Sequence, residues 1–267
     1  MYNVKNLVKK GKNYQLTIEN NDQETTFNVS EDLIVEYRLL QGKVIEDNQF
    51  KTIKAAINKD SYYQKVLKFS LFKPRTRKEI FAYLDKLQVE EYAYYLTKLE
   101  KTKLLDDDSY TKNFVHEAIF FKRFGPRKIR EDLRLKGIKI ELINESLTIY
   151  NEVQIQENIN FWLEKKVKSL QNKPFYKAQK SLFDFCMGKG FDYEDISPLI
   201  GNFRSEENSK TIELNLLSKE ASHLSAKYRK KEQKLSLNQF LITKLLAKGY
   251  RYDLIKKYLE GGQMSDE

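Results

Sequence analysis

Cysteine occurs once in the 267 residues, at Cys186. No internal disulfide can form, and a reducing, cytoplasmic setting is expected. Cys186 lies among apolar neighbours in "SLFDFCMGKG" and reads as a small buried hydrophobe. Proline (four) and glycine (ten) are scarce, which argues against a turn-rich all-β fold and for helices. The two histidines, His116 and His223, lack a Cys or carboxylate partner at metal-ligand spacing and read as ordinary helix residues. No apolar run approaches the length of a membrane span. The N-terminal "MYNVKNLVKKGKNYQL" has no hydrophobic segment of signal-peptide type. Phosphate-cradling G-x-x-x-x-G-K-[ST] is absent, and "GKG" at 188–190 reads as a helix end. Asp106, Asp107 and Asp108 read as the charged start of a helix rather than as a metal site. Nothing assembles a nucleophile, a base and an oxyanion site. The expectation is a protein that is not an enzyme and takes no cofactor and no metal.

What is present is positive charge. Lys and Arg number 48 against 38 for Asp and Glu, a net +10. Such a surplus points to an anionic partner: nucleic acid, an acidic protein face or a membrane surface. The charge is also concentrated. Lys122, Arg123, Arg127, Lys128, Arg130, Arg134, Lys136 and Lys139 face only Glu131 and Asp132 within the same stretch. Arg127, Arg130 and Arg134 fall at i, i+3 and i+7, on one outward helical face. Lys73, Arg75, Arg77 and Lys78 form a second group, and "KYRKKEQK" at 227–234 a third. Arginine suits this task because its planar fork matches carboxylate and phosphate oxygens. The seventeen tyrosines raise stacking on unpaired bases, but Tyr83, Tyr92, Tyr94 and Tyr95 lie at helical spacing and read as core.

The first 47 residues form a separate segment. "YQLTIE" (14–19) and "ETTFNVS" (24–30) alternate around an "NND" turn and predict a β-hairpin, with "VKNLVKK" as a candidate third strand. Ser30 is expected to cap a helix that turns Leu33, Tyr37 and Leu40 inward. From residue 48 onward the periodicity is helical and repeats. Thr76 and Glu79 make a capping box, followed by Ile80, Leu84 and Leu87. Gly125 and Pro126 open the matching helix, in which Ile129 and Leu133 sit 49 residues after Ile80 and Leu84. Val89 and Ile138 correspond in the same way. Asp106–Asp108 start a helix expected to hold Phe114, Ala118 and Phe121. Lys-Gly pairs at 136–137, 189–190 and 248–249 mark helix ends, where glycine supplies the left-handed residue. Longer helices are predicted near 50–72, 108–123, 152–171 and 207–232. The fold is expected to be mainly α, with tandem three-helix repeats in an elongated, curved array. The expected boundaries are 1–47 (hairpin plus helix), 48–105, 106–150, 151–204, 205–262 and a tail at 263–267.

"FSLFKPRTRKEIFAYL", "LLDDDSYTKNFV" and "FKRFGPRKIREDLRLKGI", in that order and spacing, resemble the RecX regulatory proteins of bacteria. The likeness is strong over roughly 60–150 and extends through the later repeats to about 260. Lys73 and Pro74 depart from the family pattern, and the third repeat lacks a clear Gly-Pro start. The resemblance implies binding to the RecA recombinase filament and to single-stranded DNA, with double-stranded DNA as a further partner. It implies damping of strand-exchange, ATPase and co-protease activity in DNA repair and the SOS response. With no dimerising heptad in the sequence, a monomer without a membrane partner is expected. By position the resemblance carries over Arg75, Arg77, Arg127, Lys128, Arg130 and Arg134 as contact residues; Lys122 and Arg123, from the same basic stretch, complete the expected set that meets RecA or DNA. The alternative is a DNA-binding helical protein, a transcriptional regulator that uses the short helix pair 125–149 as a helix-turn-helix. A neutral helical scaffold is a third reading, which the clustered arginines oppose.

Overall fold

The computed structural model describes residues 1–201, 206–229 and 236–261, with the side chains of 206–210 excepted. No helix among them is long and apolar enough to cross a membrane. The described chain divides into two compact units: residues 1–110 with 136–138, and the chain from 111 onward without 136–138.

In the first unit, strands β1 (Tyr2–Lys10), β2 (Asn13–Asn20) and β3 (Gln23–Val29) run antiparallel. Asn21 and Asp22 join β2 to β3 with φ of 48° and 60°. A tight two-residue hairpin needs positive φ at such positions, and Asn and Asp tolerate it. Helix α1 (Glu31–Tyr37) follows, and β4 (Val44–Ile45) then pairs with Tyr2 and Asn3, so the sheet order is β3-β2-β1-β4. The expected hairpin is thus part of a four-stranded sheet. One face of it buries Val4, Leu16, Ile18 and Val29 with Leu33, Ile34, Leu39 and Ile45.

Two local expectations change here. Arg38 turns left-handed (φ 49°) and ends α1, so Leu39 enters the core while Leu40 is left 62% exposed. Ser30 occupies the cap position, but its buried hydroxyl makes no capping bond.

The long helix α2 (Asp47–Phe72) serves two cores. Phe50, Ile53 and Ile57 pack on the sheet. Tyr63 and Val66 pack on α3 (Arg77–Lys86) and α4 (Tyr92–Lys101) through Ile80, Leu84, Tyr95, Leu96 and Leu99. The Thr76–Glu79 capping box is formed in full. Helix α5 (Asp107–Phe120) crosses the boundary between the units. The second unit then continues with α6 (Pro126–Leu135), α7 (Ile140–Ser146), α8 (Glu152–Val167), α9 (Phe175–Gly188), α10 (Tyr193–Ile200), α11 (Glu206–Arg229), α12 (Leu237–Ala247) and α13 (Tyr252–Gly261). Each long helix is followed by a pair of shorter ones. The last triplet closes over Leu217, Ala221, Leu224, Phe240, Leu241, Leu245 and Ile255.

The Lys-Gly pairs do more than end helices. The Gly125 N–H donates to the Lys189 carbonyl (2.9 Å) and the Arg127 N–H to the Gly190 carbonyl (3.0 Å). Orphan donors at the start of α6 therefore meet orphan acceptors at the end of α9. Gly190 (φ 92°) tolerates the approach because it has no side chain: a Cβ there would lie 2.4 Å from the Lys128 Cβ. In the first unit the Thr76 hydroxyl donates to the Lys136 carbonyl (2.9 Å), and a Cβ on Gly137 would lie 2.7 Å from the Lys78 Cβ. Gly249 stands likewise against Lys177, at 3.2 Å. Gln88, 49 residues before Gly137 in the sequence, has the same left-handed backbone (φ 53°), but its side chain is exposed.

Candidate interaction face on helix α6

Ile129 and Leu133 are fully buried and fix which side of α6 faces inward. Burying two such side chains contributes a few kcal/mol, about 1.5–3 each. The bonds to Lys189 and Gly190 pin the start of the helix. Arg127, Arg130 and Arg134 consequently share the exposed side. The side chains of Arg130 and Arg134 make no hydrogen bond or ion pair among the described residues. Arg127 Nη2 donates to the Met187 carbonyl (2.6 Å), so its charge meets a dipole and not a carboxylate. Lys128 pairs with Asp132 at 3.3 Å, one turn along.

The other expected contact residues are differently engaged. Lys122 pairs with Glu117 at 3.0 Å. Arg77 pairs with Glu100 through its side chain, and its backbone N–H donates to Asp107 Oδ1 at 2.9 Å. Exposed pairs of this kind are worth about 0–1 kcal/mol and exchange readily for a competing anion. Arg75 is held inside its unit: its guanidinium lies 3.7 Å from the Phe69 ring centroid, and Phe69 stacks on Tyr83.

Arg123 is the most committed. Its backbone is left-handed (φ 53°). Its Nη1 donates to Asn158 Oδ1 at 3.0 Å, and its carbonyl accepts from Trp162 Nε1 at 2.7 Å. Asn158, fully buried, in turn donates to the Ile119 carbonyl and to the Tyr150 hydroxyl, which donates to the Phe124 carbonyl. Burial pushes the Tyr150 phenol up to about 12, further from a pH at which it would lose the proton it donates. This network fixes the turn between α5 and α6 and so aims the α6 face.

Beside Thr76, Glu79 and Lys136 form a partly buried ion pair at 3.1 Å. Burial alone would raise Glu79, but the Thr76 N–H and the Lys136 ammonium hold it below its ordinary value. The stretch 227–234 lies mostly outside the described residues. No group of three or more His, Cys, Asp or Glu among the described residues could hold a metal ion.

Phe121 corrects an expectation. The helix expected to hold it runs to about 123, but α5 ends at Phe120, so Phe121 lies past the helix and is 76% exposed; of Phe114, Ala118 and Phe121, Ala118 alone is fully buried. Phe72, at the end of α2, is 83% exposed. The sequence carried the signal, since the two phenylalanines are 49 residues apart, the offset that relates Ile80 to Ile129.

Two family models match the chain: "RecX, second three-helix domain" over residues 106–147 and "RecX, third three-helix domain" over 152–200. These ranges take in α5–α7 and α8–α10. A protein called "Regulatory protein RecX" from Enterococcus faecalis is 30% identical over 260 residues, covering 94% of this chain and 93% of its own. A relative of the same name from Oceanobacillus iheyensis is 28% identical over 236 residues, 88% and 86% of the two chains. A solved "Crystal structure of regulatory protein RecX" superposes with a TM-score of 0.59 at 24% identity, over 74% of this chain and all of that one. That likeness shows a shared fold.

Proposed function

The chain belongs to the RecX family of regulatory proteins, and on that premise we propose that it binds RecA and RecA–single-stranded DNA filaments and damps recombinase, ATPase and co-protease activity in DNA repair and the SOS response. The observation that carries this is the face of α6: Arg130 and Arg134 exposed without a carboxylate partner among the described residues, on a helix locked by Ile129, Leu133 and the Gly125–Lys189 bond. A fixed guanidinium that is not neutralised by its own chain gains most from an external anion, whether an acidic RecA surface or a DNA phosphate.

The action on this reading is mechanical and competitive. The protein works as a monomer in the cytoplasm, its four three-helix repeats (48–105, 106–150, 151–204 and 205–262) meeting successive RecA subunits or the DNA they hold. Weak contacts from several repeats sum to avidity. Occupancy of the filament then blocks its extension or favours its disassembly.

Co-sedimentation with RecA on single-stranded DNA tests the reading. Wild type is expected to pellet with the filament, and Arg130→Glu/Arg134→Glu to remain in the supernatant. Equal pelleting of the two would remove this face from the mechanism. Protection of one specific duplex site would instead favour a transcriptional regulator.

A further inference from the structure

Phe72 and Phe121 are 83% and 76% exposed, and each stands at the end of a long helix. They hold equivalent repeat positions, and so do the residues after them, Lys73 and Lys122. The residues before them, Leu71 and Phe120, are exposed too. A single exposed Phe is ordinary. The same one at the same repeat position twice, at this exposure, calls for a partner.

The surroundings say which chemistry. No acidic residue occurs from 61 to 78, a run that holds Lys65, Lys68, Lys73, Arg75, Arg77 and Lys78 around Phe72. None occurs from 118 to 130, which holds Lys122, Arg123, Arg127, Lys128 and Arg130 around Phe121; of these Lys122 pairs with Glu117, Lys128 with Asp132, and Arg123 donates to Asn158, so five cations in this stretch outnumber the two carboxylates that pair with them. The partner must therefore be anionic and must also offer flat apolar faces. Unpaired nucleobases on a phosphate backbone meet both demands. A duplex hides its base faces in the stack. An acidic protein surface offers the charge, but places an apolar pocket next to carboxylates only by special arrangement.

We propose that Phe72 and Phe121 are stacking platforms for the unpaired bases of single-stranded DNA, with the flanking cations holding the backbone. The proposal rests on the preceding reading for its choice of partner and assigns the contact with the bases, which that reading leaves open. At Phe121 the platform is backed by His116, whose ring lies 6.1 Å from it and 4.6 Å from Phe120. At Phe72 the neighbouring cation, Lys73, is exposed and has no ion-pair partner among the described residues.

Phe72→Trp and Phe121→Trp provide the readout, each compared with the wild-type protein titrated in parallel, because the half-buried Trp162 donates to the Arg123 carbonyl and can respond to binding itself. Each is titrated without RecA against oligothymidylate, an abasic oligomer of the same length and a duplex. Quenching of the added indole by oligothymidylate, and not by the abasic oligomer or the duplex, is expected. Phe72→Ala/Phe121→Ala should weaken oligothymidylate binding by roughly tenfold or more, leave abasic binding unchanged, and keep the wild-type circular dichroism. Wild-type affinity of the double alanine variant for oligothymidylate, or equal quenching by the abasic oligomer, overturns the proposal. Unchanged DNA binding with lost pelleting on RecA filaments also overturns it, since the rings would then anchor on protein. The two readings fail separately. If the Arg130→Glu/Arg134→Glu protein still pellets while the indoles are quenched by single strands, only the α6 reading falls.

Discussion

Gly190 and Lys128 are held so closely that a Cβ on the glycine would lie 2.5 Å from the lysine backbone nitrogen. Two helix ends meet there, and the Arg127 N–H reaches the Gly190 carbonyl at 3.0 Å. Gly190→Ala would add left-handed strain, about 1–3 kcal/mol, to overpacking of about 1–3 kcal/mol. A loss of roughly 2–6 kcal/mol in urea denaturation is expected. Gly11→Ala has a positive φ of 66° but nothing within 4 Å, so only the strain should appear. Equal losses in the two variants would show that the joint at Gly190 is looser than described.

Arg123 and Arg130 are both basic, and the structure gives them opposite work. Arg123→Ala strips a donor from buried Asn158 and should cost about 1–3 kcal/mol of stability. Arg130→Ala removes no side-chain partner among the described residues and should stay within about 0.5 kcal/mol of wild type while weakening filament binding. Thermal melts and co-sedimentation on the same two proteins separate the roles.

The α6 face should report itself through salt. If Arg130 and Arg134 reach phosphates, removing both lowers the slope of log affinity against log salt by about 2. An unchanged slope with weakened binding would place them on protein carboxylates or on neutral groups.

Glu213 is almost fully buried, and one carboxylate oxygen accepts from the Arg251 N–H at 3.0 Å. Burial raises its pKa above the ordinary value, against the pull of the Arg251 N–H and charge. A raised folded pKa means that the folded state binds the proton more tightly. The associated stabilisation is full below the unfolded pKa and is lost as pH rises through the folded one. Glu213→Gln should therefore be more stable than wild type at neutral pH and lose that advantage near ~pH 4. Urea midpoints at the two pH values check this, and an advantage that grew in acid would refute it.

Cys186 is fully buried, and burial pushes its thiol up to about 11. The thiolate is the reactive form. Labelling with a thiol reagent at neutral pH should be slow in buffer and complete in denaturant. Rapid labelling of the native protein would show that the core around α9 opens.

The sequence by itself determined what depends on near neighbours. The Thr76–Glu79 capping box spans three residues, and the stripe of Ile129 and Leu133 spans four, so both were legible before any coordinates. So was the Asn21–Asp22 turn, because side-chain chemistry alone admits positive φ there. What only the tertiary structure decided involves groups brought together from afar. Arg38 turning left-handed, not the helical period, chose Leu39 over Leu40 for the core. The Lys-Gly pairs read as helix ends, but what demands a bare glycine is a distant segment seated on it: the Lys128 backbone at Gly190, and the Lys78 side chain at Gly137, beside the point where the Thr76 hydroxyl meets a carbonyl 60 residues away. Of the guanidiniums around α6, Arg123 is consumed by an amide 35 residues on, while Arg130 meets no partner among the described residues. A one-dimensional pattern records which side chains are charged. Which of those charges are already satisfied is a property of packing, since a hydrogen bond is formed only by atoms within about 3 Å of each other.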